Sequence, residues 1–217
     1  KNNFSNSETF ELFRSNQRIL LYLFQNNLIS TDDLIKLPDK FLCYFYPEIK
    51  SKIAKKKAEK IFKLGSDFLK NFNLEEFNAK RQIGENDLYV CKLIREDSIE
   101  EFIEYVNKTN LPLNGEIKNS IFETNTFLLD YYSRYFWVEK TPTIIEYAFF
   151  FGAVQIVKYL QTNNVKLTYE LWPFAIHSNN AELIQILEEN NLIPPESYFI
   201  TRSNAYIPQQ GGSYMPN

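Results

Sequence analysis

The chain has 217 residues, 44% of them hydrophobic and 24% charged, with 24 basic against 27 acidic side chains and a formal net charge of −3. That apolar fraction is enough for a packed core in one elongated or two ordinary domains, which excludes a disordered chain, and the acidic balance opposes general affinity for phosphate backbones, leaving nucleic acid only a local patch. No secretory signal and no apolar run of about 18 residues is present, so we expect a cytoplasmic protein without membrane partners, whose Asn3 and Asn107 sequons are chance matches and whose Cys43 and Cys91 stay reduced in apolar helices.

The chain starts at Lys1 rather than Met, which reads as a fragment or the edge of an ordered region. From Ser7 to Asn27 the apolar residues Phe10, Phe13, Ile19, Leu20, Leu23 and Phe24 recur at helical spacing with a break at Asn16 and Gln17, giving two helices or one bent helix. The second half ends in Asn26-Asn27-Leu28. Ser30 offers a cap with Asp32 and Asp33 in the first turn, Pro38 stops that short helix, and another short helix should precede Pro47. Between Glu48 and Phe72 the pattern predicts a long amphipathic helix whose polar face carries Lys52, Lys55, Lys56, Lys57 and Lys60. This basic patch is either a surface for an acidic partner, RNA and anionic lipid included, or a solvated helix face. The second reading is favoured, because no aromatic is interleaved to stack bases and Glu75, Glu76, Glu85 and Asp87 follow.

Residues 74–84 read as a connector, and a helix pair spans about 86–111. The slot from Leu113 to Asp130 reads as a degenerate pair, followed by an insertion carrying Tyr131, Tyr132, Tyr135, Phe136 and Trp137 as core or contact patch. From Thr141 to Leu192 the sequence says nearly the same thing twice. Ala148 matches Ala175, Gly152 matches Asn179, Leu160 matches Leu187, and Asn163-Asn164 matches Asn190-Asn191, at an offset of about 27 residues. The pair at 86–111 has the same shape 54 or 55 residues upstream, its register uncertain by one.

Ala148, Gly152, the Ile156-Val157 and Leu160 core and the Asn163-Asn164 exit, with their counterparts Ala175, Asn179, Leu183-Ile184, Leu187 and Asn190-Asn191, resemble ankyrin repeats. The stretches Ile94–Ile103, Ser120–Asn125 and Ile145–Gly152 look like an expanded protist family of ankyrin proteins carrying a domain of unknown function, a likeness over roughly residues 80–192. The resemblance implies an all-α, ankyrin-like solenoid of stacked helix pairs: an N-terminal helical region at 1–80, a repeat domain at 81–195, and an extended tail at 196–217. A small residue lets the first helix of a pair pack closely, and Gly or Asn tolerates the left-handed turn that closes a helix. The usual ankyrin period is about 33 residues, so the projecting fingers are shortened here. The expected partner surface moves to the row of first-helix positions Arg95, Phe150 and His177, with Glu96, Phe151 and Ser178 beside them. Phe149, Phe150 and Phe151 cannot all face one core, so one of them touches a partner or the irregular neighbouring segment.

His177 is the only histidine, and no acid stands at helical spacing from it. With no phosphate loop, dinucleotide fingerprint or Cys/His cluster, we expect no catalysis, no cofactor and no metal. The expected function is a protein–protein interaction scaffold or adaptor. The alternative is a structural subunit of a large cytoskeletal assembly, such as a microtubule, or of a ribonucleoprotein particle, which would order the Gly- and Pro-containing tail. An RNA-contacting protein is a third reading that rests on the lysines alone.

Overall fold

The computed structural model describes residues 5–64, 72–129 and 141–193. The aromatic insertion at 131–137, the 196–217 tail and the Asn3 sequon lie outside them. Among the described residues the regular structure is helical, apart from one isolated antiparallel bridge between Glu116 and Thr143. The chain divides into two compact units, the first from residues 1–88 and 118–130, the second from 89–117 and 131–217.

In the first unit, α1 (Asn6–Phe13) starts on a Ser5 capping box with Glu8. The Asn16 side chain then accepts from the Ile19 amide to start α2 (Gln17–Gln25). The break at Asn16 and Gln17 therefore separates two helices. Ser30 and Asp33 form a second capping box at α3 (Thr31–Leu34), and α4 (Asp39–Leu42) and α5 (Tyr46–Ile49) are single turns. The long basic helix does not form. The chain leaves α5 at Lys50, crosses 50–54 as turn, and restarts as α6 (Lys55–Leu64), because Ile49, Ile53 and Ile61 all turn toward one core and a straight rod would carry them past it. Asn73 caps α7 (Leu74–Ile83), which closes on Gly84 at φ 73. The core gathers Leu20, Leu34, Leu42, Tyr44, Phe45, Ile49, Ile61 and Phe77, and takes in Phe122 from far along the chain.

Residues 111–125 contain no helix. In place of the degenerate pair expected at 113–130, an irregular strap, belonging mostly to the first unit, leads into a helical turn at 126–129. Thr124 donates both its amide and its hydroxyl to the Gly84 carbonyl (3.1 and 2.8 Å), Asn86 donates to the Lys118 carbonyl and to Glu123, and the Phe122 ring meets Phe77 edge-on at 5.2 Å.

The second unit stacks three hairpins: α8 (Tyr89–Arg95) with α9 (Ile99–Thr109), α10 (Ile144–Phe151) with α11 (Val154–Thr162), and α12 (Trp172–Ser178) with α13 (Ala181–Glu189). Helix α10 packs against α8 on one side, α12 on the other and α11 behind. That explains why Ile144 through Phe150 are buried without interruption, the one acid among them, Glu146, accepting from the Thr143 amide in the capping box. Each hairpin carries two left-handed residues, one at the inter-helix turn and one at the exit. They are Asp97 and Asn110, Gly152 and Asn164, Asn179 and Asn191. The turns and the exits are offset differently because the exit Asn110 lies 13 residues after the turn Asp97, whereas Asn164 and Asn191 lie 12 after Gly152 and Asn179. The one-residue ambiguity of the sequence register is this extra length.

Candidate functional site

The first-helix row lies wholly within the second unit. Arg95 Nη1 donates to the Tyr147 hydroxyl at 2.9 Å, and the Arg95 guanidinium stands 5.9 Å from the centre of the Phe151 ring. Phe151 in turn meets Phe150 edge-on at 4.9 Å, and Phe150 stacks on the His177 imidazole at 3.9 Å with 18° between the planes. Arg95, Phe151, Phe150 and His177 are thus in sequence along one row. A guanidinium over an aromatic face contributes roughly 0.5–1 kcal/mol at partly exposed sites.

Two of the expected site residues sit outside this chain of contacts. Glu96 is exposed and reaches 3.9 Å from Lys92 on its own turn. The Ser178 hydroxyl donates to the Ala175 carbonyl at 2.7 Å and accepts from the Asn180 amide at 3.3 Å, which shapes the α12–α13 turn. Phe150 is buried, so what the row offers to solvent is the exposed His177, the partly exposed Arg95 and Phe151, and Ile176, which is 58% exposed. Ile176 was not singled out from sequence. Its counterparts in the other hairpins, Ile94 and Phe149, are fully buried, and that inequality was visible only once the helices were stacked. Burial holds the His177 imidazole below its usual range, opposed by a hydrogen bond to the Phe150 backbone.

The lysines of the first unit are partly engaged. Lys52 pairs with Asp32 at 3.2 Å, Lys60 with Asp39 at 2.6 Å, and Lys57 donates to the Ile35 carbonyl at 3.3 Å, while Lys55 and Lys56 are exposed. Exposed pairs of this kind stabilise little, but they place acids within the positive face and dilute it as a phosphate-binding surface.

Sequence reasoning missed a cleft of about 490 Å³ in the first unit. Arg18, Leu21, Tyr22 and Gln25 present one face of α2, Asn78, Arg81 and Gln82 present one face of α7, and Tyr44 is the remaining lining residue. Both Arg81 Nη groups are engaged: they hold Glu48 through both carboxylate oxygens (2.9 and 2.8 Å) and donate to the Tyr44 carbonyl and to Asn78. Removing one partner of so buried a pair strands a charge at a cost of about 3–5 kcal/mol. Tyr44 is fully buried, and its hydroxyl is the one buried side-chain polar atom among the described residues with no hydrogen-bond partner. An unmade bond of that kind costs about 1–3 kcal/mol. No periodic pattern betrays such a site, since each lining residue reads as an ordinary helix-surface or core residue.

Among the described residues no three His, Cys, Asp or Glu side chains are placed to hold a metal ion, and no helix is long and apolar enough to cross a membrane. Compared with family models, curated proteins and solved structures, the chain matches none.

Proposed function

We propose that the chain is a non-enzymatic interaction scaffold: an ankyrin-like stack of short-fingered helix pairs that works in the cytoplasm and holds a protein partner along its first-helix row. The observation that carries this reading is the continuous row from Arg95 through Phe151 and Phe150 to His177, bordered by exposed Ile176. Such a row combines the side-chain types that dominate binding energy, aromatic and arginine, with an apolar residue left in water. The fully buried Cys43 and Cys91 thiols suit a reducing compartment, and burial pushes the Cys43 thiol up to about 11, which keeps it unreactive. Quantitative crosslinking in native lysate tests the reading. Crosslinked partners should map to the faces of α8, α10 and α12 and fall several-fold for an Ile176→Asp, His177→Ala double variant that melts like the wild type. Crosslinks that map elsewhere, or an unchanged set of partners, would overturn it.

A further inference from the structure

We propose that the cleft between α2 and α7 in the first unit is a recognition site for a single carboxylate borne on an apolar arm. The proposal stands on residues that the hairpin row does not use. Arg81 brings no net charge to the cleft, because Glu48 grips its guanidinium. Arg18 is the lining cation left to act on a ligand. Its stem and Nη1 lie beside the Gly84 turn, 3.2 and 3.3 Å from where a Cβ on Gly84 would stand, and the residue lines the cleft.

The second group is the Tyr44 hydroxyl. Burial pushes this phenol up to about 12, with Arg81 and Arg18 close enough to pull the other way, so at neutral pH it carries its proton and can donate. Tyr44 lines the cleft, and among the described residues no side chain or carbonyl accepts that proton. One cation and one neutral donor suit a monoanion, and the fork of a guanidinium matches the two oxygens of a carboxylate. A dianionic phosphate would meet one positive charge only. Leu21 and the exposed Tyr22 ring provide apolar surface beside these donors, and the Gln25 and Gln82 amides lie at the rim.

The carboxylate could belong to a small organic acid or to a peptide, and the probes separate the two. The full chain, labelled with 15N, would be titrated with 3-phenylpropionate, its amide 3-phenylpropionamide, 2-phenylethyl phosphate, and the dipeptide acetyl-Ala-Phe with a free or an amidated C-terminus. Amide shifts confined to α2, α7 and residues 41–46, with the free acids binding about tenfold or more tightly than their amides, are the expected result. Tighter binding of the dipeptide acid assigns the site to a peptide, and tighter binding of phenylpropionate assigns it to a small acid. Arg18→Gln, at an exposed position, should remove the preference for acid over amide. Tyr44→Phe should weaken the acids several-fold while leaving the melting temperature equal or higher, since it deletes an unsatisfied group. Equal affinity for acid and amide, an unaltered preference in Arg18→Gln, tighter binding of the phosphate ester, or shifts centred on other elements would each overturn the proposal.

Discussion

Asp33 and His177 show how single side chains couple this fold to pH. The Asp33 carboxyl is lowered to about 2, first by the hydrogen bond from Lys36 and then by those from Ser30. Because its folded value lies below the unfolded one, its contribution is complete above the ordinary carboxylate range and is lost as pH falls toward 2. Asp33→Asn should cost about 1 kcal/mol at neutral pH as the capping box fails. Urea midpoints should then converge with the wild type as the pH is taken from about 4 down to 2. His177 behaves in the opposite chemical sense with the same direction in pH. Partial burial favours the neutral ring, so the unfolded chain binds the proton more readily, and stability present above the ordinary imidazole range is lost as pH falls through and below it. His177→Phe keeps a ring on Phe150 and removes the proton. The decline in urea midpoint between pH 7.5 and about 5.5 should be shallower in that variant than in the wild type.

The hairpins depend on residues at their turns and exits more than on the helices themselves. At the exits, the Leu28 amide donates to the Leu23 carbonyl, Val165 to Leu160, and Leu192 to Leu187, each with a left-handed Asn just before. The preceding Asn side chains, Asn26, Asn163 and Asn190, also donate back to the carbonyl one turn earlier. The Asn-Asn-apolar exit was legible in the sequence because αL closure selects Asn chemically, and it marks α2 in the first unit as the same device. Asp97 was not legible. It adopts φ 47 at the α8–α9 turn and its two carboxylate oxygens accept from the Gln155 and Ile156 amides, each at 3.0 Å, capping the second helix of the next hairpin. A cap 58 residues away leaves no local motif to read. Asp97→Gly keeps the turn and loses the cap, and should cost about 1 kcal/mol in chemical denaturation. Asn164→Gly should stay within about 0.5 kcal/mol of the wild type or exceed it, whereas Asn164→Val should lose about 1–2 kcal/mol.

At the scale of the whole molecule, the chain enters the first unit, leaves at α8 for the second, returns at 118, and leaves again. Periodicity gave access to most of the helices, but not to α7, whose stretch reads as a connector, nor to the break at 50–54 in the basic stretch, and the doubled stretch at 141–192 appears as two stacked hairpins. The return was not accessible, because residues 118–125 are joined to the first unit by isolated polar bonds and one ring, with no repeating pattern. Phe122→Ala should therefore empty part of the core of a unit whose helices lie far upstream, at a cost of about 3–5 kcal/mol. Hydrogen exchange should show protection falling in α2, α4, α6 and α7 while α8 to α13 keep theirs.

The strap also sets an order of events while the chain is being made. Residues 5–88 emerge before α8, but Phe122 and Thr124 complete their core only after α8 and α9 have already left the ribosome. A hairpin needs only neighbouring residues to form, whereas the first unit must wait for a loop of about 35 residues to close. A unit whose helices are synthesised before α8 is therefore finished after the first hairpin of the second unit, and until then it exposes an apolar surface around Phe77, the ring that Phe122 comes to cover.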